Sequence, residues 1–218
     1  MCDDGPSSVC PLCASSAAFY TQDHSRAYLH CGRCDLVFAD PASRLGREDE
    51  KRVYDQHEND PADDGYRRFL NRLAQPLLGK LTRGMAGLDY GCGPGPTLSV
   101  MLEEAGMRMA VYDPYYAPDR SVLNVRYDFV TCTEVVEHFN RPAESWAELI
   151  GLLKPGGWLG VMTKRVIDRD RFEKWHYKDD PTHVSFYSEA TFAWLAARFG
   201  LSFESVGQDV VILGRPAG

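Results

Sequence analysis

Three groups of residues in this 218-residue chain have types and spacings that can do chemistry. The first is the glycine run Leu88-Asp89-Tyr90-Gly91-Cys92-Gly93-Pro94-Gly95-Pro96, followed by Asp113. Gly91, Gly93 and Gly95 let the backbone turn tightly and approach a ligand closely. A helix starting behind them would offer free N–H groups. A GxG by itself is also what a plain tight turn looks like. A dinucleotide fingerprint requires glycine at 96, where Pro96 stands, so a pyrophosphate over the helix start is disfavoured. Asp113 follows the glycines at the position where an acid ending the next strand can accept from both hydroxyls of a ribose. Together these features suit a nucleoside with no phosphate requirement.

The second group is Cys10-Pro11-Leu12-Cys13 and Cys31-Gly32-Arg33-Cys34, with positions 14–30 between them. That spacing matches a structural zinc site, in which two CxxC turns complete a tetrahedron of thiolates. The chain has 7 cysteines, an odd number, and Cys2, Cys92 and Cys132 are scattered. Met1-Cys2-Asp3-Asp4 lacks the basic start and apolar stretch of a signal peptide. A cytoplasmic location is expected, and with it metal ligands and not disulfides. The alternatives are free thiols in a module that has lost its metal, or a redox pair, which would want one CxxC at a helix start. His24 and His30 read as surface residues, since four thiolates suffice.

The third group is Glu134, Glu137, His138 and His183. Imidazole is the side chain best matched to proton transfer near neutral pH. His138 follows an apolar strand, at the edge where open α/β sheets bind ligands; its plainer role would be to bond a carbonyl. His183 lies in an aromatic segment holding Trp175, Tyr177, Phe186 and Tyr187 amid charges. That segment reads as a substrate lid, the alternative being aromatics that pack the loop onto the sheet.

The elements that must position these groups follow from periodicity. Residues 1–45 carry short alternating runs around the cysteines. Residues 45–65 are polar and read as a connector with a helical turn near 51–57. Phe69, Leu70, Leu73, Leu77, Leu78 and Leu81 recur at helical spacing, with Pro76 a bend or break. Strands are expected at 86–90, 108–112, 127–131 and 158–163. Helices are expected at 97–105, 143–153 and 188–199, the last capped by Ser188 and closed by Gly200. Runs at 201–206 and 210–213 form a terminal pair. Strand–helix alternation followed by a hairpin implies a mainly parallel sheet with an antiparallel edge. A net charge of −7 disfavours nucleic acid as a partner. A basic face formed by Arg26, Arg33, Arg44, Arg47, Arg67, Arg68 and Arg72 would reverse that. The longest apolar runs, such as 159–162, are too short to span a bilayer.

Three motifs carry a family resemblance. Asp89 through Gly95 resembles motif I of class I S-adenosylmethionine (SAM)-dependent methyltransferases. Tyr127-Asp128-Phe129-Val130 through Glu134-Val135-Val136-Glu137-His138-Phe139 resembles their fourth-strand motif. Leu152-Leu153-Lys154-Pro155-Gly156-Gly157-Trp158-Leu159 resembles the motif leading into their fifth strand. The resemblance covers roughly residues 65–218. It implies a Rossmann-like, doubly wound, mostly parallel α/β sheet with an antiparallel C-terminal edge strand. Residues 1–45 would be a zinc ribbon, 46–84 a linker and helical region, and 85–218 the methyltransferase domain.

By the same resemblance, Gly91, Gly93 and Gly95 line the methionine and ribose part of SAM. Asp89 helps hold its amino group, Asp113 takes the ribose hydroxyls, and Thr133 and Glu134 border the reaction site. The ExxEH pattern is similar to the metal-binding strip of ubiquinone-pathway O-methyltransferases and small-RNA 2′-O-methyltransferases, with His183 as a further ligand; that resemblance implies a second metal site at Glu134, Glu137, His138 and His183, whose two carboxylates and two imidazoles would suit Mg²⁺, Mn²⁺ or Zn²⁺. One departure stands out: only positions 114–127 separate Asp113 from Asp128, too short a stretch for a full helix and third strand. The adenine-side wall is therefore abbreviated, and no adenine-binding residue is named. The expected activity is methyl transfer to an oxygen of a small-molecule acceptor, with His138 and His183 as catalytic residues. The alternatives are an RNA methyltransferase whose ribbon binds substrate, and a non-catalytic SAM-fold protein whose ribbon binds a protein partner.

Overall fold

The computed structural model describes residues 8–56 and 60–218. Cys2, the rest of the Met1–Asp4 run and His57, named above, lie outside them. The chain opens with four antiparallel strands in sequential order: β1 (Ser8–Val9), β2 (Ser16–Gln22), β3 (Ala27–His30) and β4 (Val37–Ala39). Helix α1 (Arg47–Tyr54) starts earlier than the expected turn. Its Glu48, Asp49 and Glu50 sit in the first turn and Lys51 and Arg52 in the last, which suits the helix dipole. Helix α2 (Asp64–Leu78) is capped by the Asp63 carboxylate, which accepts from the N–H groups of Gly65 and Tyr66. It buries Leu70, Leu73, Ala74 and Leu77. Pro76 falls in its last turn, so the missing N–H removes one bond from a helix that is already ending.

The alternating elements follow: β5 (Ala86–Tyr90), α3 (Thr97–Glu104), β6 (Arg108–Tyr112), β7 (Tyr127–Thr133), α4 (Pro142–Gly151), β8 (Leu153–Met162), α5 (Arg169–Glu173), β9 (Ser185–Phe186), α6 (Glu189–Phe199), β10 (Ser202–Val206) and β11 (Val210–Gly214). The larger sheet has the order β10-β11-β8-β7-β5-β6. Strands β6, β5, β7 and β8 run parallel, while β11 runs antiparallel to both β8 and β10. This is the Rossmann-like sheet with an antiparallel C-terminal edge that the alternation implied. Strand β8 begins at Leu153, earlier than expected, because the Pro155-Gly156-Gly157 run joins the sheet through an irregular pairing near Tyr127–Phe129. Between β6 and β7 the chain makes only a bridge from Asp113 to Ala117 and a 3-10 turn at Arg120–Asn124, so β6 is the sheet edge.

The aromatic segment at 175–187 is not a lid. Its β9 pairs with β4, Val37 opposite Phe186 and Phe38 opposite Ser185, extending the N-terminal sheet to five strands. Tyr177, Val184 and Phe186 are buried with Tyr28, Val37 and Phe172. Tyr187 is fully buried, and its hydroxyl accepts from the Trp146 indole N–H. Lifting the segment would expose several rings of roughly 150–250 Å² each, which holds it in place. The packing reading of these aromatics is therefore the correct one.

Leu12, Leu36 and Phe38 of the N-terminal sheet share one apolar cluster with Val130, Trp146, Leu149 and Leu195 on one face of the larger sheet. Leu70, Leu73, Leu77, Leu98 and Leu102 of α2 and α3 cover Phe129, Met162 and Ile212 on the other. Strand β5 approaches β7 closely here. A Cβ on Gly87 would meet Phe129 Cζ at 2.2 Å, and Phe129 has no room to move. Gly87→Ala is expected to destabilise the fold by about 1–3 kcal/mol, read as a lower urea midpoint at unchanged slope.

Candidate active site

Strands β5, β6 and β7 end at one edge of the sheet, with Tyr90 beside Tyr112 and Asp89 beside Thr131. Beyond that edge lies a cavity of about 640 Å³. It is lined by Asp89, Gly91, Gly93, Gly95, Asp113, Thr133, Glu134, His138 and His183, so the predicted cofactor and catalytic residues converge. Sequence reasoning missed Glu50 and Tyr54 of α1, Tyr66 and Phe69 of α2, Tyr115 and Tyr116 beside Asp113, and Asp180, all of which also line it. The periodicity of α2 shows which face is buried but not that its first turn overlooks a cavity.

Gly91 has φ +77°, and a Cβ there would lie 2.4 Å from Val135 Cγ2. Only glycine can make this turn and still let the chain leaving β7 pass behind it. Asp113 Oδ2 accepts from Gly93 N at 3.1 Å, and Oδ1 accepts from Tyr115 N at 2.8 Å and Tyr116 N at 3.0 Å. The carboxylate therefore builds the turn on both sides of itself. Tyr115 and Tyr116 in turn donate to Glu50 and Asp55, docking α1 over the cavity mouth. Asp89 is buried and accepts from Thr131 Oγ1 at 2.7 Å and Ser99 Oγ at 3.2 Å. Burial pushes its pKa up to about 6 despite those bonds. Thr133 Oγ1 is buried without a hydrogen-bond partner among the described residues, the kind of group a bound ligand satisfies.

Past β7 the chain turns through Glu134, whose φ of +52° is left-handed in a non-glycine residue. Tyr177 Oη lies 3.2 Å from Glu134 Oε2 and 2.5 Å from Glu137 Oε1, and Thr163 Oγ1 donates to Glu137 Oε2 at 2.9 Å. Burial and the neighbouring Glu137 raise the Glu134 pKa to about 8, and burial raises that of Glu137. His138 Nδ1 meets the Thr182 carbonyl at 3.2 Å, and His183 Nδ1 meets the Tyr177 carbonyl at 2.6 Å. A carbonyl only accepts, so both rings carry hydrogen at Nδ1. The rings stand 4.7 Å apart. Burial and His138 hold the His183 pKa below its ordinary value. Ligand atoms of Glu137, His138 and His183 lie within 4.8 Å of one another. Glu134, expected as a fourth member, is not in that group.

The four paired cysteines form a separate cluster. Cys10 and Cys34 sulfurs are 3.5 Å apart, those of Cys13 and Cys31 3.4 Å, and all four lie within 4.8 Å. A zinc tetrahedron with Zn–S near 2.3 Å has edges of roughly 3.8 Å. The two CxxC turns match: Ala14 N bonds Cys10 O, Asp35 N bonds Cys31 O, and Ala14 and Asp35 have φ of +58° and +59°. With Glu134 these are the three left-handed non-glycine residues among those described. Each sits at a candidate site, where strain of this kind tends to collect. The cluster is compatible with zinc.

Three of the arginines named above are not free to join a basic face: Arg26 is buried, Arg67 pairs with Glu104, and Arg72 pairs with Asp209. Among the described residues, no helix is long and apolar enough to cross a membrane.

A family described as a methyltransferase domain matches residues 34–206. The ubiquinone biosynthesis O-methyltransferase of Leptothrix cholodnii is 31% identical over 118 residues, covering 43% of this chain and 49% of that protein. The alignment thus spans about half the length of the curated relative. Among solved structures, the PH0226 protein from Pyrococcus horikoshii superposes with a TM-score of 0.53 at 17% identity, covering 78% of this chain and 100% of that one. The magnesium protoporphyrin IX methyltransferase of Synechocystis, with S-adenosylhomocysteine (SAH) bound, gives 0.50 at 14% identity, covering 77% and 94%. At these identities the structural likeness shows the fold alone. The family match over most of the chain, on a sheet whose glycine turn, acid and histidines share one cavity, shows that the chain belongs to the methyltransferase domain family of SAM-dependent enzymes.

Proposed function

We propose that this protein transfers a methyl group from SAM to an oxygen of a small-molecule acceptor. The observation that carries the reading is the single cavity in which the Gly91–Gly95 turn and Asp113 face His138 and His183. When bound, SAM supplies an electrophilic methyl on a sulfonium, so the protein mainly positions and desolvates. Asp113 would accept from a ribose hydroxyl, Asp89 would face the amino group, and Thr133 Oγ1 would gain the partner it lacks. His138, with hydrogen at Nδ1, takes the acceptor's hydroxyl proton at Nε2. Oxygen as the target is supported by the name of the Leptothrix relative and by the presence of a base. Cys10, Cys13, Cys31 and Cys34 would hold a structural zinc.

A second reading has Glu137, His138 and His183 holding a divalent cation beside the acceptor, favoured by their shared 4.8 Å group. A metal content of two per chain, falling to one in His183→Ala, would support it. The main reading is tested by calorimetry with SAH and by transfer from labelled SAM to phenols and other hydroxylated small molecules, with RNA alongside. Absence of SAH binding, or transfer to RNA alone, would overturn it.

The Asp89 pKa gives a further expectation. Protonation below about pH 6 would remove the charge that Asp89 would offer the cofactor's ammonium. SAH affinity should therefore fall by up to about tenfold per pH unit below 6. Asp89→Asn should flatten that dependence, as followed by calorimetry between pH 5 and 8. For ligand-free protein the sign is fixed by a folded pKa above the ordinary 3.8. Asp89 contributes stability below that value and loses it as pH rises through 6.

A further inference from the structure

We infer that Arg26, in the turn between β2 and β3 of the N-terminal module, is a positioning residue that sets the orientation of His138 and His183 by clamping the loop whose carbonyls hold them. The inference rests on the histidine site proposed above and adds a residue of a different module to it.

Arg26 immediately precedes β3 and is only 8% exposed. Its guanidinium reaches across to the 3-10 turn at His176–Asp179 and the residues after it. Nη2 donates to the carbonyls of Lys178 and, at 2.6 Å, Asp180; Nη1 donates to the carbonyl of Pro181 at 3.0 Å. The two carbonyls that hold the imidazoles flank these three. Tyr177 O accepts from His183 Nδ1, and Thr182 O accepts from His138 Nδ1. Carbonyls 177 and 182 thus point to the histidines, and 178, 180 and 181 point to one arginine. The loop cannot rotate its peptide planes toward Arg26 and keep the histidine bonds unless all five are set together.

The clamp is itself braced. Arg26 Nε donates to Tyr28 Oη at 3.0 Å, and that hydroxyl lies 2.8 Å from Asp23 Oδ2. Lys178 Nζ also reaches Asp23 Oδ2, at 3.0 Å, from the loop itself. Asp23 Oδ1 accepts from the Arg26 and Ser25 N–H groups. Burial opposes the Asp23 charge, but these donors together hold its pKa well below the carboxylate range. A planar fork with several donors at fixed angles can collect three carbonyls; an ammonium at the same place cannot span them. The arrangement does not depend on the acceptor or on bound SAM.

The test reads the imidazoles directly. In full-length protein labelled with ¹⁵N-histidine, long-range ¹H–¹⁵N spectra at neutral pH should show the Nδ1–H tautomer for His138 and His183, assigned with His138→Gln and His183→Gln. In Arg26→Met both should move to mixed or Nε2–H patterns, and in Arg26→Lys at least His183 should. SAH affinity should stay within about twofold in both variants, because Asp89 on β5, Gly91 just after it and Asp113 just after β6 lie away from the clamp. A merely structural arginine would lower the melting temperature and leave the tautomers as they are. Wild-type rings with hydrogen at Nε2, or folded Arg26→Lys and Arg26→Met proteins that both retain the Nδ1–H pattern, would overturn the inference. Wild-type protein that fails to bind SAH would sink the methyl-transfer reading and leave this readout intact.

Discussion

Replacing Asp113 by alanine is expected to raise the dissociation constant for SAH about a hundredfold. The carboxylate accepts three backbone N–H bonds, from Gly93, Tyr115 and Tyr116. An ionised carboxylate offers about four acceptor sites, so roughly one remains for the ribose. The expectation from sequence that it accepts from both hydroxyls meets this limit: one hydroxyl would be served strongly, and the other would have to share. Bonds to a charged acceptor contribute about 1.5–3 kcal/mol each. Losing one ribose bond, and loosening the turn that shapes the site, comes to about 3 kcal/mol, or roughly two decades of affinity. Asp113→Asn keeps one oxygen and should cost less than alanine. Calorimetric titration with SAH decides it; an alanine variant that folds and binds within threefold of wild type would remove Asp113 from the cofactor site.

The parts of this site legible in the sequence are those written in local spacing. Glycines at 91, 93 and 95 and the acid at 113 imply a turn and an acid at neighbouring strand ends, because strands β5 and β6 are short and parallel. The CxxC pairs imply a cluster, because each turn aims two sulfurs at one point. The short gap between Asp113 and Asp128 implied an abbreviated connection, and the chain there makes only a bridge and a 3-10 turn. What stayed hidden depends on partners far along the chain. Strand β9 spans only Ser185–Phe186, and its partner β4 lies near the other end of the sequence, so no periodicity betrays it. Aromatics amid charges at 175–187 fit a lid or a wedge equally until that partner is known. Arg26 counted as a possible surface cation but is buried against carbonyls of residues 178–181. Glu50 and Tyr54 sit in a charge-rich stretch that reads as connector, and only the docking of α1 on Tyr115 and Tyr116 brings them to the cavity. A side chain whose role is set by a contact so distant in sequence carries no mark of it in its own neighbourhood.

The largest effect on stability should come from the cysteine cluster. Purified protein should carry zinc at one per chain in that cluster, and Cys31→Ser should lose it. Cys31 is fully buried, and the module's own apolar residues, Leu12, Leu36 and Phe38, join the core that holds Trp146 and Val130. Structural zinc in small modules contributes roughly 10–16 kcal/mol of apparent free energy. If only a third of that reaches the whole fold, the loss is about 4 kcal/mol, which lowers the melting temperature by roughly 8–16 °C for a chain of this size. The damage should not stay local. Strand β4 carries β9, Ala39 N bonds Val184 O, and Val184 N bonds Glu137 O, so a slackened N-terminal sheet would loosen the wall that presents His183. The Gly91–Gly95 turn leads directly into α3, whose Leu98 and Leu102 pack with α2 on the other face of the sheet, so SAH affinity should outlast it. Partial chelation should therefore abolish methyl transfer before SAH binding fails. A Cys31→Ser protein with unchanged metal content, or with a melting temperature shift well below the roughly 8 °C lower bound of that range, would show that the thiolates hold no ion on which the fold depends.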